Sequence, residues 1–411
     1  MKSPRLNFKN NELYQEQRLG EVTQWFSGGT PSKSNPDYWD GNIDWHTASS
    51  LKNTLLHFSE TKISKLGLEN GSRIAEANSI LLLVRGSILF KKIPIGMLSR
   101  PAAFNQDVKS INCNHQLLPQ YLLQWLLAKE HQLLGMVVGT GIGAGKLETD
   151  SLKNLKILYP CIELQAKTAD FLSSVDEKIA LQNRKVELLQ QYKKGMMQKL
   201  FSQKIRFKGN DGDNFQGWMT FRLSEIGKSF NGLTGKTAKD FGKGADYITY
   251  KQIFDDRVID VTKFEKVNID ANESQSTVKF GDSFFTTSSE TPNEVGFSAT
   301  LLDELLESTY LNSFCFGFRP DSFDKLLPEF SPFLFGNESF RKKVILLAQG
   351  STRFNISKNK FMEIKVDLPC IEEQRKIANC LSSIDDKITL ENTQLNQLKQ
   401  WKQGLLQQMF V

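Results

Sequence analysis

The chain is poor in the residues from which most catalytic and metal sites are built. It has 4 His and 5 Cys in 411 residues. Cys113, Cys161, Cys315, Cys370 and Cys380 form no CxxC pair, and no His stands at ligand spacing from them. A zinc site needs several soft ligands converging, so these cysteines read as buried structural thiols, and no metal or cofactor is expected. The longest apolar run, Ile80 to Val84, is far short of the roughly 20 residues that span a bilayer. The opening stretch MKSPRLNFKNNELYQEQ has no signal-peptide apolar core, and a cytoplasmic location is expected. Neither GxSxG nor HExxH occurs, so two common hydrolytic arrangements are excluded. The net charge of +6 permits binding to a polyanion without requiring it. Phe, with 29 residues, is abundant.

An internal repeat organises the chain. Residues 160–201, PCIELQAKTADFLSSVDEKIALQNRKVELLQQYKKGMMQKLF, match residues 369–410, PCIEEQRKIANCLSSIDDKITLENTQLNQLKQWKQGLLQQMF, at an offset of 209 with 21 of 42 positions identical. A fainter echo opens each half: RLGEVTQWFSGGTP from Arg18 and RLSEIGKSFNGLTG from Arg222. Between these segments the halves share little. The boundaries follow: variable domains at 1–158 and 219–367, repeated helices at 159–203 and 368–411, and a connector at 204–218 that turns at Asp211-Gly212.

The stretch GTGIGAGKLETD (139–150) resembles half of a phosphate-binding loop. A P-loop also needs Ser or Thr after the Lys and a glycine five before the last one; here those places hold Leu147 and Thr140. At the 209 offset the second half keeps Gly350 but neither of the later glycines nor the lysine. The stretch reads as the connection from variable domain to repeat, where Lys146 and the backbone are free to meet a nucleic-acid phosphate. FNGLTGKT (230–237) fails the same comparison. NPDY (35–38) is similar to the Asn-Pro-Pro-Tyr loop of adenine methyltransferases, but no cofactor-binding strand-loop-helix precedes it, and it reads as a turn.

In the repeats the apolar beat steps alternately by three and four: Leu172, Val175, Ile179, Gln182, Val186, Leu189, Lys193, Met196 and Leu200, then Leu381, Ile384, Ile388, Glu391, Leu395, Leu398, Lys402, Leu405 and Met409. That is a coiled-coil seam, with polar members at matching heptad positions that fix register. Each helix is expected to run roughly 55–60 Å at about 1.5 Å per residue. Leu181 and Leu390, Tyr192 and Trp401, Met197 and Leu406 widen the stripe beyond what one partner helix covers. The fold expected is therefore α+β: two globular domains joined by two long antiparallel helices, related by a pseudo-twofold axis. Surplus apolar surface is left for other proteins.

The variable domains mix strand-like runs (SILLLV, 79–84) with helical ones (LPQYLLQWLLAKEHQLL, 118–134). Their loops interleave bases, amides, hydroxyls and aromatics. Lys and Arg position a DNA backbone, while Asn, Gln, Ser and Arg read base edges. The candidate DNA contacts in the first half are Thr30, Ser32, Lys33, Trp45, His46, Arg85, Ser87, Lys91, Lys92, Asn105, Gln106 and Lys146. In the second they are Thr234, Lys236, Lys239, Lys243, Tyr250, Lys251, Ser288, Ser289, Arg341, Lys342 and Arg353. A scaffold whose two unlike heads bind proteins is the competing reading of the same layout.

PCIEEQRKIANCLSSIDDKI and PCIELQAKTADFLSSVDEKI, with the GGTP opening, RGS (85–87), FNQ (104–106), GSTR (350–353) and the KIRF connector (204–207), resemble the specificity subunit of type I restriction–modification systems over nearly the whole chain. The resemblance implies a non-catalytic subunit whose target-recognition domains each read half of a bipartite, asymmetric site on double-stranded DNA. It implies a helix pair that sets the gap and binds two modification subunits. Those subunits carry S-adenosylmethionine and methylate adenine; restriction motor-nuclease subunits join for cleavage. The departures in the first copy are Leu164 for the second glutamate, Thr168 for Ile377, and its glycine-rich loop.

Overall fold

The computed structural model describes residues 14–141, 143–270 and 272–410; the polar opening stretch expected to lack a signal lies mostly outside them. The chain divides into two units, one comprising residues up to Arg184 together with those from Asn392 on, the other Lys185–Glu391.

In the first unit a five-stranded sheet runs in the order Thr23–Ser27, Val108–Cys113, Ile80–Leu83, Ile95–Leu98, Leu55–Leu56. The run at 79–84 supplies the central strand, fully buried as its unbroken apolar character requires. A second sheet pairs Trp39–His46 in parallel with Ala102–Phe104. The helical stretch divides into Pro119–Ala128 and Glu130–Gly135. NPDY forms one 3₁₀ turn, Pro36–Tyr38, capped by Asn35.

The second unit repeats this plan with other residues. Gly227–Asn231, Cys315–Pro320, Ser283–Thr286 and Ser298–Thr300 form its main sheet. Phe241–Ile248 pairs in parallel with Tyr310–Leu311. Much of the phenylalanine excess lies in its core: Phe285 packs against Phe316, Phe335 and Phe361 with ring centroids 5.4, 5.0 and 4.6 Å away.

Each unit opens with the same device. Gln15–Arg18 pairs antiparallel with Lys156–Tyr159, and Met219–Arg222 with Lys365–Leu368. The strand that enters the domain thus lies beside the strand that leaves it for the long helix. A Cβ on Gly28 would lie 2.1 Å from the Phe104 carbonyl oxygen, and one on Gly232 2.0 Å from that of Asn312. Only glycine admits these crossings, which explains the echoed opening motif.

The long helices are Ile162–Phe201 and Ile371–Met409, at about 1.5 Å per residue roughly 60 Å each. Their starts are pinned identically. Gln165 accepts from Leu118 N (2.8 Å) and donates to the Gln116 and Pro160 carbonyls. Gln374 accepts from Leu327 N (2.9 Å) and donates to the Lys325 and Pro369 carbonyls. Within the second unit Lys185 pairs with Glu391 and Lys193 with Asp385, so the helices run antiparallel. In the first unit Lys402 pairs with Asp176 at 2.5 Å, the counterpart of Lys193–Asp385 at the 209 offset. The polar seam positions therefore hold interhelical ion pairs. Burial lowers the Lys193 pKa, against the hydrogen bond that Lys193 donates to Asp385.

The apolar seam residues divide by depth. Leu172, Val175, Val186, Leu381, Leu395 and Leu405 are buried, while Ile179, Leu189, Met196, Ile384, Ile388 and Leu398 are half-buried. The helices also rest on the domains. Leu172, Val175, Leu405, Met409 and Phe410 share the core of the first unit, and Met197, Leu200, Ile377 and Leu381 that of the second. Pairing and folding back on a domain are thus both satisfied, because the apolar stripe is wide enough for two neighbours.

The cysteine expectation needs correction. Cys315 is buried, but Cys161 is exposed at the start of the first long helix, and the other three are half-buried. Among the described residues no group of His, Cys, Asp and Glu is placed to hold a metal, and no helix is long and apolar enough to cross a membrane.

Candidate nucleic-acid interface

One end of each main sheet gathers the loops. In the first unit Val84 N donates to Asp107 O (2.8 Å), and Leu147 N to Val84 O (2.9 Å). In the second, Thr287 N donates to Phe314 O (2.9 Å) and Ile356 N to Thr287 O (3.1 Å). The RGS strand Arg85–Gly86 is thereby laid against Gly145–Lys146, with Arg85 opposite Lys146. Ser288–Ser289 lies against Phe354–Asn355 in the same way. The stretch that resembled a phosphate loop is a hairpin, Val138–Gly139 pairing with Gly145–Lys146. No helix of phosphate-loop type follows it, only the short turn of helix Thr149–Lys153.

The glycine-pair loop joins this end. Gly29 N donates to Phe104 O at 3.0 Å, and Thr30 Oγ1 donates to Gln106 Oε1 at 2.5 Å. Ser32, Lys33, Arg85, Ser87, Lys91, Lys92 and Gln106 are exposed, with Thr30 and Lys146 half-buried. Lys146 is paired with Glu148 at 2.6 Å. In the second unit Thr234, Lys239, Lys243, Lys251, Lys342 and Arg353 are exposed and Tyr250 half-buried. Tyr250 donates its hydroxyl to Ser288 O (2.9 Å). Lys251 pairs with Asp255 and Lys342 with Glu338, each one helical turn along. Lys239 and Lys243 flank the start of the strand Phe241–Ile248.

Several expected DNA contacts are structural instead. Trp45 is buried and donates Nε1 to Gly29 O at 3.1 Å, anchoring the glycine-pair loop. His46, 1% exposed, hydrogen-bonds Ser50; burial lowers its pKa, outweighing the opposing charge of Asp44. Asn105, Ser288 and Ser289 are buried as well. The Lys236 side chain is 4% exposed and paired with Glu273. Arg341 points inward: it donates to the Asn293 and Val295 carbonyls at 3.0 and 2.8 Å and to that of Gly296, and lies over the Phe297 ring. Burial brings its pKa down to about 10, so it is still a cation at neutral pH. Arg341→Ala is expected to lower the melting temperature by several degrees, because three carbonyls lose their donor. The salt dependence of DNA binding should not change; a weaker salt dependence would return Arg341 to the DNA surface.

Sequence reasoning passed over two exposed aromatics at this end, Phe90 and Phe314, 54% and 56% accessible. Phe90 directly precedes Lys91-Lys92 and was hidden among the core phenylalanines. Arg353 lies over Phe314, 5.8 Å from its ring centroid.

Comparison with known proteins places this architecture. The family model described as type I restriction modification DNA specificity domain matches residues 11–191 and again 216–400. The EcoR124I/EcoR124II specificity subunit of Escherichia coli is 31% identical over 173 residues, 42% of this chain and 43% of that protein. In that match the chain spans under half of the relative's length. The MjaVIII specificity subunit of Methanocaldococcus jannaschii is 26% identical over 407 residues, 95% of this chain and 90% of its own. The crystal structure of a type I restriction-modification S subunit from M. genitalium shares the fold, with a TM-score of 0.58 at 14% identity, covering 100% of this chain and 99% of that one. With a family model matched twice, once in each half, and the same architecture built twice, the chain belongs to the type I restriction–modification DNA specificity family.

Proposed function

We propose that the chain is the DNA-recognition subunit of a type I restriction–modification enzyme and itself catalyses nothing. Residues 1–158 and 219–367 act as two target-recognition domains, each reading one half of a gapped site on double-stranded DNA. The helices at 159–203 and 368–411 set the gap. The observation that carries this reading is the twice-built loop end. Two domains with little common sequence place the segment at 145–147 or 354–356 and the loop before the second strand of the main sheet through the same backbone hydrogen bonds. Frame and variable loops are separated as a family of readers with different targets requires.

Two modification subunits, which bring S-adenosylmethionine, are the partners of the helices, and restriction motor-nuclease subunits join them. The apolar residues left exposed support two equivalent docking places. Leu181 and Trp401 are 66% and 48% accessible in the first unit, and their repeat counterparts Leu390 and Tyr192 are 56% and 56% in the second. A duplicated patch fits two copies of one partner better than two different ones.

The test is N6-methyladenine mapping of a host genome with and without this gene. A two-part gapped motif is expected to vanish on deletion. A chimera that replaces residues 219–350 is expected to alter one half of that motif and keep the other. An unchanged methylome under deletion, where the modification subunit is expressed, would favour the protein-binding scaffold.

A further inference from the structure

The two variable domains share a turn whose backbone is the same and whose side chains differ. In the first, Asn105 N donates to His46 O (3.0 Å), Val108 N to Asn105 O (3.3 Å) and Val84 N to Asp107 O (2.8 Å). In the second, Asn312 N donates to Ile248 O (3.0 Å), Cys315 N to Asn312 O (3.1 Å) and Thr287 N to Phe314 O (2.9 Å). Asparagine opens the turn both times, and Asp107 and Phe314 stand at the same place in it. Asp107 is half-buried and accepts from Asn105 Nδ2 at 3.3 Å, so it serves the turn itself. Phe314 is exposed, although the core of its unit is built largely of phenylalanine. Its backbone is fixed, because Phe314 N also donates to Asn312 Oδ1 at 2.9 Å. A phenyl ring held in water forgoes the gain of burial.

Arg353 lies over this ring, its guanidinium carbon 5.8 Å from the centroid, within cation–π reach. The residue is exposed, and its guanidinium has neither a salt bridge nor a hydrogen bond among the described residues. Two other arginines of the unit also lie over rings, and both are engaged. Arg319, over Phe230, donates to Asp282 at 2.7 and 2.6 Å, and Arg341, over Phe297, donates to three carbonyls. The turn before Arg353 is closed by Gly350, whose φ is 135° and where an added Cβ would lie 2.1 Å from Arg353 O. Gln349 and Asn355 exchange backbone hydrogen bonds across it at 3.0 and 2.8 Å. An anchored turn thus carries a planar fork of N–H donors that no group in the unit accepts from.

We propose that Arg353 reads a guanine in the major groove of the half-site recognised by the second domain, with Phe314 as the positioning residue that holds its guanidinium plane. The inference rests on the recognition function proposed above. Guanine presents O6 and N7 to the major groove as two neighbouring acceptors, which the arginine fork matches bidentately. A phosphate is served equally well by the point charge of a lysine, and a phenyl ring beside it would gain nothing. Against base edges the same ring meets apolar surface such as a thymine methyl group. The first domain, with Asp107 in that place, carries no such ring there.

The test uses the full chain expressed with its modification subunit, as wild type and as Arg353→Ala, Arg353→Lys, Phe314→Ala and Phe314→Tyr. The readouts are the methylation motif, thermal melting and binding of a duplex carrying that motif across a salt series. In further duplexes each guanine of that half-site is replaced in turn by 7-deazaguanine, which pairs normally but lacks N7. One such replacement is expected to weaken wild-type binding about tenfold. Arg353→Ala should lose the preference for that guanine and become indifferent to the replacement, with wild-type melting and the other half-site intact. Arg353→Lys should recover little, since an ammonium cannot make the paired contact. Phe314→Ala should weaken discrimination at the same position, Phe314→Tyr should keep it, and Phe314→Ala should add nothing once Arg353 is replaced by alanine. A motif unchanged in Arg353→Ala, or a uniform loss of affinity with the salt slope reduced by about one, would put Arg353 off the bases and overturn the inference. A half-site without guanine would overturn it too. Both results would leave the recognition function standing. Absence of any gapped motif with the wild-type chain would instead bring down the recognition function, and the inference with it.

Discussion

Replacing Arg206 with alanine should destabilise the protein by about 3–5 kcal/mol, the cost of leaving one charge of a buried pair without its partner. Glu373, in the first turn of the second long helix, is 0% exposed. Its oxygens accept from Arg206 Nε at 3.1 Å, Arg206 Nη2 at 2.6 Å and Trp218 Nε1 at 3.2 Å. The hydrogen bond to Glu373 also leads the causes that raise the Arg206 pKa. Both donors come from the connector, so this carboxylate ties segment 204–218 to the helix start. The first repeat carries Leu164 at the same position, 2% exposed. The double variant Arg206→Ala, Glu373→Leu should therefore recover most of the loss, since an apolar side chain of similar volume removes the stranded charge. Urea denaturation of wild type, single and double variants decides the matter. A double variant no more stable than Arg206→Ala alone would show that the connector, not the buried carboxylate, sets the cost.

That departure between the copies was visible as letters and opaque as chemistry. The offset, the helix starts and the seam were legible because they are local: identity shows in alignment, and a three-four beat needs only one strip of sequence. The partners of the polar seam residues were not. Lys193 meets Asp385 and Lys402 meets Asp176 across about two hundred residues, and no spacing rule links them. The common plan of the two variable domains was hidden for a related reason. Strand pairing demands alternation and backbone hydrogen bonds, which many sequences supply, so Val84–Asp107 and Thr287–Phe314 occupy equivalent places with no residue in common. Basic clusters misled where one member turned inward. FRKK reads as surface, yet Arg341 clamps three carbonyls while Lys342 remains outside. Tryptophan, histidine and asparagine in the first domain suggested readers of bases. The structure uses Trp45, His46 and Asn105 as buried supports under the loops.

Insertion of seven residues into each long helix, between Arg184 and Lys185 and between Glu391 and Asn392, should lengthen the gap between half-sites and leave both half-site sequences unchanged. Three interhelical ion pairs each lie within one unit: Lys402–Asp176 in the first, Lys193–Asp385 and Lys185–Glu391 in the second. Insertions at those two points disturb none of them. Seven residues keep the three-four beat in phase, whereas three or four would turn the apolar stripe away from its partner. At about 1.5 Å per residue the insertion adds roughly 10.5 Å, the rise of about three base pairs at 3.4 Å each. The methylation motif should shift by that spacing, and duplexes with the original gap should bind at least tenfold more weakly, because the two readers would no longer meet their halves together. Insertion into only one helix should abolish methylation, since the seam then cannot keep its register on both sides of the insertion. Altered half-site letters would mean that the helices help read the bases, and an unchanged gap would mean that the spacing is set elsewhere.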